Sequence, residues 1–175
     1  MYKKYGFQVK TYFMELPYSA FSVEKLTEEK AREICAWRYE GEYSVYNLPE
    51  WEECAKLGWS ITDGEKRKTE YFAVHTEGQF LGYFHVMNRE DSIELGVGIK
   101  PELCGKHYGQ QLMHLALGKI EELYPGLPVK LTVRPFNKRA IKCYESVGFK
   151  IVEKYYESTY LVPGEMYIME LNRCL

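Results

Sequence analysis

Asn137, Ala140 and Tyr144 fall at i, i+3 and i+7 in the stretch NKRAIKCYESVGF. That spacing is one face of a helix, which Asn137 can cap and Gly148 can end. An amide, a methyl and a phenol make a poor packing surface but a good seat for a thin, polar ligand. A second stretch, CGKHYGQQ from Cys104 to Gln111, opens the longest helical pattern in the chain. Gly105 and Gly109 sit in its turn, where backbone amides can converge on a ligand. No acid occurs from Leu103 to Ile120, although acids normally complement the positive end of a helix. Lys106 and His107 stand there instead, which suits a docked anion and makes the turn a candidate phosphate cradle. It is neither a GxxxxGK[ST] loop nor a GxGxxG turn.

The elements that must position these residues follow from pattern. A strand is expected over Ala20–Leu26, then a helix over TEEKAREICAWRYE with Thr27 as its cap. LPEWEECAKLGW reads as a second short helix, bounded by Pro49 and Gly58. The basic run Lys66-Arg67-Lys68, flanked by acids, reads as a solvated loop. EYFAVH and QFLGYFHVMN are strands joined by a hairpin at Thr76-Glu77-Gly78. In SIELGVGIK, Ile93, Leu95, Val97 and Ile99 alternate with Glu94, Gly96 and Gly98. The helix YGQQLMHLALGKIEELY carries a buried stripe of Leu112, Leu115, Ala116, Ile120 and Leu123. VKLTV is a buried strand, and FKIVEKYY and EMYIMEL close the chain. Hairpins at one end and a strand-helix-strand crossover in the middle predict an α/β domain with a mixed sheet.

Bulk properties exclude several classes. The chain has 175 residues, 46% hydrophobic and 27% charged, which fits a single domain over 1–175 with its own core. Residues 1–18 read as an N-terminal extension. A net charge of −2 and a pI near 6.1 argue against a nucleic-acid partner. Five cysteines without a CxxC pair and four histidines without HExxH spacing argue against disulfides and metal, and for a reducing, cytoplasmic setting. No apolar run approaches membrane-spanning length.

The phosphate turn, the Asn-Ala-Tyr face and the strand order together resemble the GNAT superfamily of acyl-CoA-dependent N-acyltransferases, over roughly Phe21 to Leu171 and most strongly from Glu94 to Phe149. The pattern N-x-x-A-x-x-x-Y-x-x-x-G-F is intact as Asn137, Ala140, Tyr144, Gly148 and Phe149. The family's Arg/Gln-x-x-Gly-x-Gly/Ala falls on Cys104, Gly105, Lys106, His107, Tyr108 and Gly109; Cys104 and His107 depart from it. The resemblance implies a mixed, mostly antiparallel sheet with helices on both faces and splayed parallel fourth and fifth strands. It implies acetyl-CoA as co-substrate, no metal, and an amine acceptor. Backbone near Val97 and Ile99 would pair with pantetheine amides, the turn from Cys104 to Gln110 would hold the diphosphate, and Asn137 would bond the pantetheine arm. Ala140 would admit that arm, and Tyr144 would sit near the thioester sulfur. The oligomeric state is left open, a homodimer being one option.

Acyl transfer to an amine needs a free amine, a stabilised oxyanion and a neutralised thiolate. An alkyl amine of pKa ~10.4 is only about one part in 2,500 neutral at pH 7, so a base or a desolvating pocket must help. Glu94 is the candidate base, directly or through water, with an exposed strand carboxylate as the alternative reading. Tyr144 is the candidate donor to the leaving thiolate. Thr132 stands where relatives resembling ribosomal-protein acetyltransferases carry a glutamate, which weakens assignment to their substrate class. Cys104 and Cys143 read as bystanders. On the acceptor side, Trp37, Tyr39, Tyr43 and Tyr46 interleave with Glu40 and Glu42, a composition that suits an ammonium group or, equally, a solvated acidic loop. Tyr155, Tyr156 and Tyr160 would line the other wall. The alternative to an active N-acetyltransferase is a non-catalytic acyl-CoA-binding or interaction module.

Overall fold

The structure, a computed structural model, describes residues 20–158 and 161–171. The expected N-terminal extension and Tyr160 lie outside them. The chain opens with strand β1 (Phe21–Lys25) and helix α1 (Glu28–Ala36), followed by a 3-10 segment, Gly41–Tyr46. Helices α2 (Trp51–Lys56) and α3 (Gly64–Glu70) precede strands β2 (Tyr71–Thr76), β3 (Gln79–Asn88) and β4 (Ile93–Ile99). Helix α4 (Tyr108–Leu123), strand β5 (Val129–Val133), helix α5 (Lys138–Ser146) and strands β6 (Lys150–Glu157) and β7 (Gly164–Leu171) complete it.

These strands form one seven-stranded sheet in the order β1-β2-β3-β4-β5-β7-β6. Every pairing is antiparallel except β4 with β5. The β2–β3 hairpin turns through Glu77 and Gly78, both at positive φ, the pair of left-handed residues that a two-residue turn between twisted strands requires. Alternate residues of β2 enter different cores, which puts helices on both faces. Phe72 and Val74 join Leu112, Met113, Ala116 and Ile120 of α4 and Ile141 of α5. Tyr71 and Ala73 join Ala31, Ile34 and Cys35 of α1 and Cys54 of α2. Each of the larger aliphatic and phenyl side chains among them contributes about 1.5–3 kcal/mol by leaving water, so the two cores clamp the sheet between them. Among the described residues no helix is long and apolar enough to cross a membrane.

Three expectations need correction. The run Lys66-Arg67-Lys68 is not a loop but the body of α3, which Asp63 caps by accepting from the amides of Glu65 and Lys66. Arg67 is buried, donating to the Ile61 carbonyl at 2.9 Å and reaching Glu28 at 3.3 Å, so a cation replaces the apolar stripe that pattern reading looks for. The first helix stops at Ala36 rather than Glu40. Trp37 turns extended and packs between Phe80 and Tyr83, while Arg38 donates to the carbonyls of Cys35 and Trp37. On α4 the fourth fully buried position is Met113, whereas Leu123 is 41% exposed and Leu115 only partly buried.

Candidate active site

An opening in the sheet organises the site. β4 pairs with β3 along its whole length, from Ile93 opposite Asn88 to Ile99 opposite Gly82. On its other side it pairs with β5 at only two positions, Ile93 with Val129 and Glu94 with Lys130. β5 meanwhile stays paired with β7 as far as Val133 opposite Tyr167. From Leu95 and Leu131 onward the two parallel strands therefore diverge, and Val97 and Ile99 lie on the unpaired stretch of β4.

Helix α4 follows that strand after a 3-10 turn, Pro101–Leu103. His107 precedes it in the left-handed conformation, φ 64°, and no side chain caps the first turn. The first amides of a 16-residue helix are thus left to a ligand or water, with no acid in the first turn to offset the dipole. His107 adopts a backbone shape that glycine takes freely, at a cost of roughly 1 kcal/mol. Lys106 is exposed beside it. Arg139, on α5, brings a second cation: its Nη1 is 3.8 Å from where a Cβ on Gly105 would stand, and its charge acts on Cys104. Lys106, Arg139 and the open amides of α4 could hold a phosphorylated group. Sequence reading missed Arg139, although Lys138 and Arg139 in the first turn of α5, another first turn without an acid, carry the same signal.

Gly109 has a further role. A Cβ there would stand 2.9 Å from the Cys143 sulfur, so this glycine lets α4 and α5 pack closely. Burial pushes the Cys143 thiol up to about 11, and also raises Cys104, whose thiol donates to the Ile99 carbonyl. Both stay protonated near neutrality. Gln110 turns away from the helix start, donating to the Ser146 hydroxyl at 2.7 Å, and the Tyr108 ring packs edge-on to Phe21.

On α5, Asn137 spends both ends of its amide. Its oxygen accepts from the Ala140 amide at 3.1 Å, and its nitrogen donates to the Tyr46 hydroxyl at 3.2 Å. Ala140 is half-buried on the same face. Tyr144 packs near Phe149, and no described residue hydrogen-bonds its hydroxyl. Burial pushes that phenol above the usual tyrosine range, reinforced by Cys143, Tyr46 and Tyr39 close by. Tyr144 therefore holds its proton near neutrality and is available as a hydrogen-bond donor.

The segment 39–47 folds over this region. Asn47 latches it, accepting from the Tyr39 amide at 2.7 Å and donating to the Tyr39 carbonyl. Tyr39 donates its hydroxyl to the Ile99 carbonyl at 2.8 Å, on the strand expected to receive a ligand's amides. Tyr43 and Tyr46 both contact Phe136, and the Arg139 guanidinium lies 5.2 Å from the Tyr43 ring. Three of the four expected acceptor-side aromatics thus gather here. The fourth, Trp37, is buried in the core under α1, and Glu40 and Glu42 are exposed.

Glu94 lies on the sheet face opposite Ile93 and Leu95, at the last paired position before the divergence. Its carboxylate is 41% exposed and ion-paired with Arg89 at 2.8 Å. A dyad absent from the sequence reading lies diagonally across the sheet. His85, in register with Gly96, bonds Glu70 through Nε2 at 2.9 Å and stacks on Tyr71 at 3.7 Å. Burial holds its imidazole below the usual range, against the pull of Glu70 and Glu94. Among the described residues no three His, Cys, Asp or Glu side chains are placed to hold a metal ion.

Comparison with known proteins agrees with this geometry. The sequence profile of the Acetyltransferase (GNAT) family matches residues 22–149. The ribosomal-protein-S18-alanine N-acetyltransferase of Escherichia coli superposes with a TM-score of 0.64 at 20% identity, covering 89% of this chain and 95% of that one. A spermidine N-acetyltransferase chimera from Vibrio cholerae gives 0.70 at 21% identity, covering 87% and 95%. A chain from Salmonella typhimurium, solved with its cofactor acetyl-CoA, gives 0.64 at 14% identity, covering 87% and 94%. Identity this low speaks for a shared fold. No curated protein sequence matches. With well over half of the chain inside the family profile and the diverging strands to match, the protein belongs to the GNAT acetyltransferase family.

Proposed function

We propose that the protein is an N-acetyltransferase that moves the acetyl group of acetyl-CoA to a primary amine of a small molecule or peptide, by direct attack in a ternary complex. The observation that carries this reading is the divergence of β4 and β5 after two paired residues, with an uncapped, acid-free helix start at its end. The cradle of Lys106, Arg139 and the α4 amides would take the diphosphate. Backbone at Val97 and Ile99 would take the pantetheine as an added strand.

The chain's own groups then divide the proton work. Tyr144 donates a hydrogen bond to the departing sulfur. Its phenol starts above ~10 and a thiol near ~8.5, so full proton transfer is uphill by more than about 2 kcal/mol. Glu94 takes the proton of the acceptor ammonium, directly or through water, after releasing Arg89. Protonated thiols at Cys104 and Cys143 support direct attack over an acyl-cysteine route.

The second reading, a non-catalytic acyl-CoA-binding or interaction module, draws its support from Cys104 and His107, which depart from the family's phosphate turn. The test is acetyl-CoA with a panel of small amines, aminoglycosides and peptides, followed by thiol release. Turnover on any acceptor establishes the enzyme. Saturable CoA binding with no turnover across the panel favours the module.

A further inference from the structure

The described residues include a buried cation that the acetyl-transfer scheme does not use. Arg134 follows the last residue of β5 and is 5% exposed. Val129, Leu131 and Val133 point into the core under α4 and α5, so Lys130, Thr132 and Arg134 belong to the other face, the one that carries Glu94. Its guanidinium donates through Nη2 to the Val162 carbonyl and lies against Gly164, where a Cβ would collide with Nη1. Among the described residues it forms no ion pair, unlike the buried Arg67, which reaches Glu28. A buried guanidinium without a counter-charge is costly, and a bound anion removes that cost.

Arg134 also lines a cavity of about 350 Å³. Val45 of the 3-10 segment, Phe136, and Val162 and Pro163 of the β6–β7 connection line it as well. The cavity adjoins the site through Tyr46, whose hydroxyl accepts from both the Arg134 amide and the Asn137 side chain. Glu165, the one acid in the lining, pairs with Lys154 at 2.6 Å and makes no ion pair with Arg134. Arg134 is therefore left without an ion-pair partner among the described residues, in largely apolar surroundings.

We propose that this cavity binds the acceptor by a carboxylate held on Arg134, so that the acceptor class is an amino acid or short peptide with a free carboxylate. The proposal rests on the acetyl-transfer reading and narrows its substrate. A planar guanidinium with donors that no described residue takes matches a carboxylate in shape, and a single negative charge balances it. A phosphomonoester, with roughly −1.5 to −2 charge, carries more negative charge than one guanidinium balances. A polyamine brings positive charge to a buried cation.

The test uses the product-like acids N-acetylphenylalanine and N-acetylglycylphenylalanine, and the C-terminal amide of each, titrated by calorimetry with and without CoA. At least one acid should bind about tenfold more tightly than its amide, the two sizes telling an amino acid from a peptide. Arg134→Gln should erase the preference and Arg134→Lys keep part of it. If Arg134→Gln does not fold, Gly164→Ala, which pushes the guanidinium aside, should reduce the preference instead. Equal binding of acid and amide, no binding of any of the four, or a preference that survives these changes overturns the proposal. CoA binding without carboxylate preference leaves the enzyme reading standing and this one refuted; carboxylate preference without CoA binding refutes the enzyme reading and leaves Arg134 a carboxylate site but not an acceptor site.

Discussion

Tyr144 separates catalysis from packing at the level of one atom. Its ring contacts Phe149 and the α4–α5 core, while its hydroxyl meets no described partner. Tyr144→Phe should therefore keep the thermal midpoint and the CoA dissociation constant and lower kcat about 10²-fold. A tyrosine kept for packing alone would give wild-type turnover. Arg139 works through charge rather than fit. It is exposed, so Arg139→Ala should weaken CoA binding only about fivefold, or ~1 kcal/mol, and the difference should shrink at high salt. A loss independent of salt, measured by calorimetry, would point to packing against Tyr43 instead.

Between elements, the α4–α5 contact does two things at once. Gly109 opens the helix whose amides face the expected diphosphate, and it lets the Cys143 sulfur approach. A bulky residue at Gly109 would disturb both, so lost CoA binding in such a variant would not by itself locate the phosphates. Gly109→Ala should cost about 1–3 kcal/mol through overpacking, less the ~1 kcal/mol that alanine gains in a helix. Adding Cys143→Ala should recover much of the loss, so a double-mutant cycle in urea should show coupling. Additive effects would mean that α5 simply shifts to make room.

For the whole molecule, acid should weaken folding through His85. Its folded pKa lies below the unfolded value of about 6.5, because burial and Lys66 outweigh Glu70 and Glu94. As pH falls through that window the unfolded chain takes up a proton that the folded one resists, so stability is full above it and declines below. The urea midpoint should drop between about pH 7.5 and pH 5.5, and His85→Gln should flatten that part of the profile. If the Glu70 bond dominated instead, wild-type stability would rise on acidification.

Local residue types determined much of this protein. The acid-free turn, the capped Asn-Ala-Tyr face, the hairpin at Glu77-Gly78 and the alternation in β4 are short-range signals, and each stands where the sequence put it. Long-range partners had to come from the tertiary structure. Nothing near Arg67 in the chain marks it as buried, because its place depends on Ile61 and Glu28. Trp37 reads as an acceptor-side aromatic until Phe80 and Tyr83 enclose it. Tyr39 meets Ile99, and Tyr46 meets Asn137, across separations of 60 and 91 residues. Arg134 becomes informative only when β7 and the chain before it wall it off from water. Periodicity and capping depend on near neighbours and are written in order along the chain; burial, charge balance and the divergence of two strands depend on which distant residues the fold brings together.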